Sequence, residues 1–307
     1  MRLLFIFIDG VGLGKDHPCN PFVITETPGL ISILDGKRLT AKAVGSVGSR
    51  ATLLGLDATL GVQGLPQSAT GQASIFTGVN AAGFLGTHLN GYPDTKLRRL
   101  LAAKGMFRQL RKQHYKVIFA NAYRPQFFHL LRRGLPGKRY SCSTFITYYG
   151  GLPFYGLNDI KQGRALYMDI TNDILRQMGF VVPSIRPEEG ARRLLNISRN
   201  YDFCLFEYFL SDLAGHMADQ SEASRVIAIL DRFIGTLADQ NDPSETLIMV
   251  SSDHGNLEDL TRRVHTYNKV PALLIGDAEL RSHIEPDIND LTDLLPAIFK
   301  TLAWSKN

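Results

Sequence analysis

The sequence predicts an α/β fold, a three-layer sandwich built around a mostly parallel central sheet. Short apolar runs rich in β-branched and aromatic residues recur along the 307 residues, and polar residues do not alternate within them. Such runs are typical of strands that are covered on both faces. Amphipathic helical patterns lie between the runs, and this alternation of strands and helices favours a parallel sheet.

The predicted elements follow one another along the chain. The strands are Leu3–Ile8, Val117–Ala120, Phe203–Phe209, Thr246–Val250 and Ala272–Ile275. The helices cover residues 97–113 with a break near Gly105, and residues 169–178, 187–199, 221–239 and 289–303. The pattern is clearest in 221–239, where apolar residues recur at helical spacing from Val226 to Leu237.

One internal segment differs from its surroundings. Residues 124–181 are rich in Tyr, Phe, Gly and Arg and show none of the regular alternation found elsewhere. We expect this segment to form a small inserted cap over the core. The core would then comprise residues 1–123 and 182–307.

The cysteines and the apolar runs bear on the compartment. Cys19, Cys142 and Cys204 lie far apart and form no CxxC pair, which predicts unpaired thiols and a cytoplasmic protein. No apolar run reaches the roughly 18 residues that a membrane span requires. The first apolar run resembles the start of a signal peptide, but Asp9 ends it before any cleavage site.

The net charge of +5 is unevenly distributed. Residues 96–139 contain thirteen Lys and Arg and no acidic residue, which leaves 21 basic and 29 acidic residues in the rest of the chain. This basic block can be a solvated helix surface, or it can attract an anionic substrate. It contains no recognisable nucleic-acid-binding motif, which argues against a nucleic-acid partner.

Polar residues cluster where three predicted strands end. Asp9 follows the first strand, Asp212 follows the strand at 203–209, and residues 251–254 (Ser-Ser-Asp-His) follow the strand at 246–250. Carboxyl ends of parallel strands meet at one edge of a sheet, so these side chains should converge. A single Asp there is often a helix cap and a single His often a hydrogen-bonded structural residue. Together the carboxylates and imidazoles predict a metal site suited to Zn, Mn or Fe rather than Ca.

Four segments carry a family resemblance. They are Phe7–Gly12, Ser68–Gly78, Asp212–His216, and Ser252–Asn256 followed by His265–Pro271. With these segments the chain resembles the alkaline phosphatase superfamily of metalloenzymes, and most of all the branch of cofactor-independent phosphoglycerate mutase and phosphopentomutase. The resemblance covers about residues 1–90 and 200–307 and does not extend through the insertion.

The resemblance implies two divalent metal ions, with manganese or zinc expected and magnesium as the alternative. In such centres two metals about 3.5–4 Å apart hold the attacking and leaving oxygens. One ion would be held by Asp9, Asp253, His254 and the oxygen of Ser68. The other would be held by Asp212, His216 and His265.

Ser68 is the predicted nucleophile. It stands ten residues before Gly78, the spacing that the resemblance implies. A serine hydroxyl needs a base or a metal to react at neutral pH, and metal coordination would supply that activation and lead to a phosphoseryl intermediate. Thr70 is the alternative, because Thr70-Gly71 is similar to the Thr-Gly of phosphopentomutases. Either residue can instead serve only as a helix cap.

The leading functional prediction is a phosphatase or phosphodiesterase. The insertion is short, so we expect product to escape and water to enter. Phosphomutase activity is the alternative, because the motifs resemble that branch most. A non-catalytic binding protein with the same fold is a third possibility. A sulfatase is disfavoured, because Thr70 and Gln72 stand where that family would have Pro and Arg.

The expected partner is a small phosphorylated substrate. Gln72 lies one helical turn after Ser68 and should face the phosphate. At least one arginine near the insertion should contact it too, because the planar guanidinium binds phosphate through two parallel hydrogen bonds. The candidates are Arg124, Arg132, Arg133 and Arg139. Asn256 and Asn268 are expected to support the histidine ligands.

Overall fold

The computed structural model describes residues 1–132 and 139–304. Within them a seven-stranded sheet forms the middle layer, in the order β2-β3-β7-β6-β1-β5-β4. The strands are β1 (Arg2–Ile8), β2 (Ser46–Val47), β3 (Ala51–Leu56), β4 (Val117–Phe119), β5 (Phe203–Tyr208), β6 (Thr246–Ser251) and β7 (Val270–Ile275).

Helices cover both faces of this sheet. The α-helices are α1 (Pro21–Ile24), α2 (Pro28–Ile33), α3 (Ser68–Thr77), α4 (Ala81–Leu85), α5 (Thr95–Lys104), α6 (Met106–Lys112), α7 (Pro125–Leu131), α8 (Cys142–Tyr149), α9 (Leu157–Lys161), α10 (Asp173–Gln177), α11 (Pro187–Ser198), α12 (Leu210–Met217), α13 (Gln220–Gln240), α14 (Ala278–Ile284) and α15 (Leu294–Leu302). Short 3-10 helices occur at Ala41–Ala43, Glu285–Asp287 and Leu291–Asp293. None of the helices in the described part of the chain has both the length and the apolarity needed to cross a membrane.

The sheet has a parallel half and an antiparallel half. Strands β4, β5, β1 and β6 run parallel to one another, while β7 pairs antiparallel with both β6 and β3. Strand β2 closes the edge as an antiparallel partner of β3. The predicted sandwich with a mostly parallel sheet is therefore confirmed. The two-residue strand β2 and the six-residue strand β3 were not predicted.

Strand β1 shows why the apolar runs do not alternate. Leu4, Ile6 and Ile8 pack into one apolar cluster, together with residues of α11 and α13. Leu3, Phe5 and Phe7 point to the opposite face and pack with residues of α3, α5 and α15. Both faces of the strand are thus buried, as expected for a central strand between two helical layers.

The inserted segment contributes to two different clusters. A small apolar cluster of its own contains Ile160, Ala165, Tyr167 and Leu175. Helix α8, by contrast, packs against α3, α5 and α6 of the core layer. The division into a core and a cap at 124–181 therefore stays a prediction. Helix α8 lies within these bounds in sequence but packs against helices of the predicted core.

Candidate metal centre

The ends of three parallel strands supply most of the predicted ligands. Asp9 directly follows β1, and Asp253 and His254 follow β6. Asp212 and His216 lie on α12, which begins two residues after β5 ends. Since β1 pairs with both β5 and β6, these side chains reach the same edge of the sheet.

Two further residues arrive from other directions. Ser68 is the first residue of α3, and its Oγ lies 3.0 Å from His254 Nε2. His265 comes from the segment before β7, and its ring stacks on that of His254 with centroids 3.7 Å apart. Ser68 and His265 therefore both contact His254.

One group of ligand atoms surrounds His254. Its Nε2 lies 3.2 Å from Asp9 Oδ1 and 3.6 Å from Asp253 Oδ2. Both of these carboxylate oxygens are buried, and the contacts with His254 give neither of them a well-formed hydrogen bond. Buried oxygens without a donor are costly unless a proton or a cation satisfies them. Their orientation therefore fits a bound cation.

A second group surrounds Asp212. Its Oδ2 lies 3.4 Å from His216 Nε2, and its Oδ1 lies 3.6 Å from His265 Nε2. The opposite ring nitrogens contact backbone carbonyls: His216 Nδ1 is 2.9 Å from the Arg263 oxygen and His265 Nδ1 is 2.8 Å from the Pro66 oxygen. Such contacts fix the ring so that Nε2 points into the site.

The two groups share a residue. Ligand atoms of Asp212, His216 and His265 lie within 4.8 Å of one another, and so do those of Asp9, Asp212 and His254. The resemblance implied Asp212 for one ion only, whereas its carboxylate stands between the two groups. A carboxylate in this position can face two neighbouring cations.

The pKa values of these groups reflect crowding of charge in a buried site. Burial raises the pKa of Asp9, and burial together with the charge of Asp9 raises the pKa of Asp253 well above its ordinary value. Burial alone would lower the pKa of His254, but the carboxylates of Asp253 and Asp9 outweigh it and raise that pKa to about 10. Burial and the charge of His254 lower the pKa of His265 to about 4. A positive charge nearby would stabilise the ionised form of these crowded carboxylates.

The two candidate nucleophiles have different surroundings. The hydroxyl of Ser68 faces the ligand cluster. Thr70 Oγ1 instead donates to the Gln67 carbonyl at 3.1 Å and accepts the Leu89 amide at 3.2 Å. Since both hydrogen bonds are structural, the geometry favours Ser68.

Glycines allow the surrounding segments to approach the ligands. Gly10 has φ +72°, and a Cβ atom there would lie 2.6 Å from Asp212 Oδ1. On α3, a Cβ atom at Gly71 would lie 2.7 Å from the Asp253 carbonyl oxygen. Side chains at either position would displace a predicted ligand.

Glu258 is a buried residue of this site that the sequence reasoning missed. Its Oε2 accepts the amides of Gly12 and Asn256, both at 2.8 Å. Its Oε1 accepts the Thr266 hydroxyl and the Asn268 side-chain amide, the latter at 3.0 Å. One carboxylate thus connects the loop after β1, the loop after β6 and the segment that carries His265.

Glu207 was also missed. It lies on β5, is almost fully buried, and accepts a hydrogen bond from Ser143 Oγ at 2.6 Å. Burial raises the pKa of this carboxyl to about 7. A single acidic residue inside the apolar run at 203–209 was the signal that could have identified it.

The predicted substrate contacts have different positions. Gln72 donates to Asp9 Oδ2 at 3.1 Å. Asp9, Ser68 and Gln72 line a cavity of about 530 Å³ that Arg124 and Arg139 also line.

The remaining predicted positions are Arg132, Arg133, Asn256 and Asn268. Arg132 is exposed and is not among its lining residues, and Arg133 lies outside the described residues. Asn256 donates to Asp212 Oδ1 at 2.7 Å. Asn268 donates to Glu258, so the expectation that both would support histidines was wrong.

The fold and the site resemble those of alkaline phosphatase-like metalloenzymes. A family model described as the metalloenzyme superfamily matches residues 173–306. The predicted resemblance to this superfamily is thereby confirmed. The candidate ligand groups of the described residues are consistent with the divalent metal binding that this family description implies.

Curated relatives with similar sequences are phosphoglycerate mutases. A 2,3-bisphosphoglycerate-independent phosphoglycerate mutase of Desulforudis audaxviator is 31% identical over 133 residues, which is 40% of this chain and 26% of the relative. The corresponding enzyme of Pyrococcus abyssi is 23% identical over 165 residues, 50% of this chain and 40% of the relative. The chain therefore matches between a quarter and two fifths of the length of these enzymes.

Solved structures share the fold along the whole chain. The PH0037 protein from Pyrococcus horikoshii aligns over 100% of this chain and 98% of its own, with a TM-score of 0.59 and 14% identity. Alkaline phosphatase from the Antarctic bacterium TAB5 aligns over 99% of both chains, with a TM-score of 0.53 and 13% identity. At these identities the likeness concerns the fold alone.

Proposed function

We propose that the protein is a two-metal-dependent phosphoryl-transfer enzyme, and that it acts as a phosphatase or phosphodiesterase. The observation that carries this proposal is the position of the Ser68 hydroxyl at the edge of a buried cluster of carboxylates and imidazoles. We propose manganese or zinc as the ions and the cytoplasm as the compartment. A small phosphorylated molecule is the proposed substrate.

The roles of the residues follow from their positions. Asp9, Asp253 and His254 would hold one ion beside the Ser68 oxygen. Asp212, His216 and His265 would hold the other. When bound, two divalent ions favour the ionised serine and offset the negative charge of the transferring phosphoryl group.

Ser68 would then carry out the covalent chemistry. Its Oγ forms a bond to phosphorus while the bond between phosphorus and the ester oxygen breaks, and the alcohol leaves with one proton. A water molecule then attacks phosphorus, the serine oxygen departs, and phosphate is released. Gln72, which already donates to Asp9, would hold that carboxylate in place.

Phosphomutase activity is the second candidate, and the names of the curated relatives favour it. A mutase must retain the dephosphorylated intermediate so that a second oxygen of the same molecule attacks the phosphoserine. The cavity here has half-exposed residues at its rim, including Tyr92, Leu130 and Leu213. An open rim lets water in and product out, which favours hydrolysis.

Isotope-labelled water distinguishes these activities. The protein, loaded with Mn²⁺ or Zn²⁺, is incubated in H₂¹⁸O with a panel of phosphate monoesters and with p-nitrophenyl phosphate and its diester. A hydrolase releases inorganic phosphate that carries one ¹⁸O from water. A mutase instead yields an isomeric phosphate ester without label, and a binding protein changes nothing.

The nucleophile is tested in the same assay. We expect Ser68→Ala to lower kcat by about a thousandfold or more, because no covalent intermediate can form. Thr70→Ala is the matched control on the same helix and should retain most of the activity. The reverse pattern, with Thr70→Ala inactive and Ser68→Ala active, would reassign the nucleophile.

A further inference from the structure

The cavity beside Ser68 differs in character from the metal centre. Its lining includes the polar side chains of Asp9, Ser68 and Glu207. It also includes a group of aromatic side chains that the metal centre lacks. Besides Tyr92 at the rim, the aromatic lining residues are Phe119, Tyr123, Phe127, Tyr140, Tyr167 and Phe209. A substrate with its phosphate at Ser68 would place its organic part among them.

The aromatic wall is held in place by contacts among its own members. The rings of Tyr123 and Phe127 stack with centroids 4.1 Å apart and an angle of 26°. Phe127 also packs edge-on against Tyr140 at 5.4 Å and against Phe154 at 4.8 Å. Such contacts between rings fix the shape of an apolar surface before a ligand arrives.

Several polar groups along the same cavity are already occupied. The side chain of Asn121 donates to the Glu207 carbonyl at 2.7 Å and accepts the Glu207 amide at 2.8 Å. The Tyr123 hydroxyl pairs with Thr144 Oγ1 at 2.8 Å, and Ser141 Oγ contacts Ser143 Oγ at 2.7 Å. Beside these occupied side chains, a hydroxyl group of the substrate would lose water without gaining a free partner, so an apolar group is favoured there.

We propose that the natural substrate is a phosphate ester whose organic part carries an aromatic ring, and that this ring packs among Phe119, Tyr123, Phe127 and their neighbours. This inference rests on the proposed function for the position of the phosphate. It disfavours small polyols and hydroxy acids as the esterified alcohol. Apolar and flat groups gain most from a preformed aromatic cavity.

Matched substrates test the inference on the unmodified protein. Benzyl phosphate and propyl phosphate both release a primary alcohol, so their intrinsic reactivities are similar while their apolar areas differ. We expect kcat/KM to be at least about tenfold higher for benzyl phosphate, the scale by which apolar pockets discriminate extra carbon atoms. Glycerol 1-phosphate should be a poorer substrate than propyl phosphate. Equal values for the benzyl and propyl esters would overturn the inference while leaving the proposed function intact.

A binding measurement separates the inference from catalysis. Calorimetric titration with benzylphosphonate and propylphosphonate, which cannot be hydrolysed, should show the same preference of at least about tenfold. If no ester is turned over but benzylphosphonate still binds more tightly, the inference stands and the proposed function fails. Equal affinities for the two phosphonates would contradict the inference.

One pair of variants locates the preference. Tyr140 lines the cavity, whereas Tyr148 on α8 is a half-exposed tyrosine that is not among the lining residues. We expect Tyr140→Ala to reduce the benzyl-to-propyl affinity ratio about threefold or more, the usual scale of one aromatic contact. Tyr148→Ala should keep the parental ratio. If the benzyl-to-propyl affinity ratio fell in neither variant, or fell equally in both, the proposed position of the substrate's ring would be wrong.

Discussion

Glu207 carries a buried carboxyl group whose ionisation opposes folding. Burial, the main cause, raises its pKa from 4.5 to about 7, although the hydrogen bond from Ser143 acts in the opposite direction. Below the pKa that this carboxyl has in the unfolded chain, it is neutral in both states and does not lower the free energy of unfolding. As the pH rises above that value, the unfolded chain ionises first, so stability falls until the folded carboxyl also ionises near pH 7.

Replacement by glutamine removes this pH-dependent cost. In metal-free protein, we expect the stability of Glu207→Gln relative to the parent to increase from pH 4 to pH 8, by up to about 3 kcal/mol. Urea unfolding at both pH values measures the difference. The exposed Glu26→Gln serves as the control and should show the same small effect at each pH. A Glu207→Gln difference that does not change with pH would contradict the buried, protonated state.

Two arginines at the cavity give a second prediction at the scale of single residues. Arg124 and Arg139 line the cavity, while Arg132 is exposed at the end of α7 and is not among the lining residues. We expect Arg124→Ala or Arg139→Ala to raise KM for phosphate esters about tenfold, the loss expected for one charged hydrogen-bonded contact. Arg132→Ala should leave KM unchanged. An unchanged KM in all three variants would contradict the proposed phosphate contact.

At the scale of structural elements, the metal centre depends on loops that Glu258 connects. Its carboxylate accepts hydrogen bonds from residues 12, 256, 266 and 268, which lie in separate segments. Replacing such a buried carboxylate is costly, because the donors that it accepts from are left buried without a hydrogen-bond partner. The predicted ligands Asp253, His254 and His265 lie in these segments.

Glu258→Gln should therefore weaken the metal centre without removing a ligand. We expect an affinity for Mn²⁺ or Zn²⁺ that is about 10–100-fold lower, the usual effect of disturbing residues that support ligands. Asp259→Asn is the adjacent control, because its carboxylate accepts hydrogen bonds from Thr261 and pairs with Arg262, both nearby in sequence. Competition with a fluorescent chelator measures both affinities. If both variants retained the parental affinity, Glu258 would have no positioning role.

Sequence reasoning predicted the central elements better than the peripheral ones. Strands β1 and β4–β7 coincide with continuous apolar runs, and α13 has buried apolar residues from Ala223 to Leu237 at helical spacing. The hairpin of β2 and β3 is short and includes Gly55, so its pattern is weak. The predicted helix 169–178 shortens to Asp173–Gln177, because the Asp169 carboxylate accepts the amides of Asn172 and Ile174 and the chain turns there.

Site residues that are close together in the sequence could be predicted. Contacts that form between distant segments only when the chain folds could not. Asp212 and His216, or Asp253 and His254, are close in sequence and stand at strand ends. Glu258 is linked to Gly12 across 246 residues, and that contact has no signature in the sequence. The sharing of Asp212 between two groups likewise depends on three-dimensional convergence.

At the scale of the whole molecule, the basic block divides into two parts. Lys96, Arg99, Lys104 and Lys112 are exposed on α5 and α6, and they do not line the cavity. Arg124 and Arg139 do line it. The first part of the block is therefore best interpreted as a solvated helix surface. For the second part we retain the interpretation that it attracts an anionic substrate.

The account depends most on the presence of two metal ions among the seven predicted ligands. Crystals grown with Mn²⁺ and measured near the manganese absorption edge would locate the ions directly. We expect two anomalous peaks, one beside Asp212, His216 and His265 and the other beside Asp9, Asp253, His254 and Ser68. Anomalous density that is absent from these side chains, or present only elsewhere on the protein, would contradict the account.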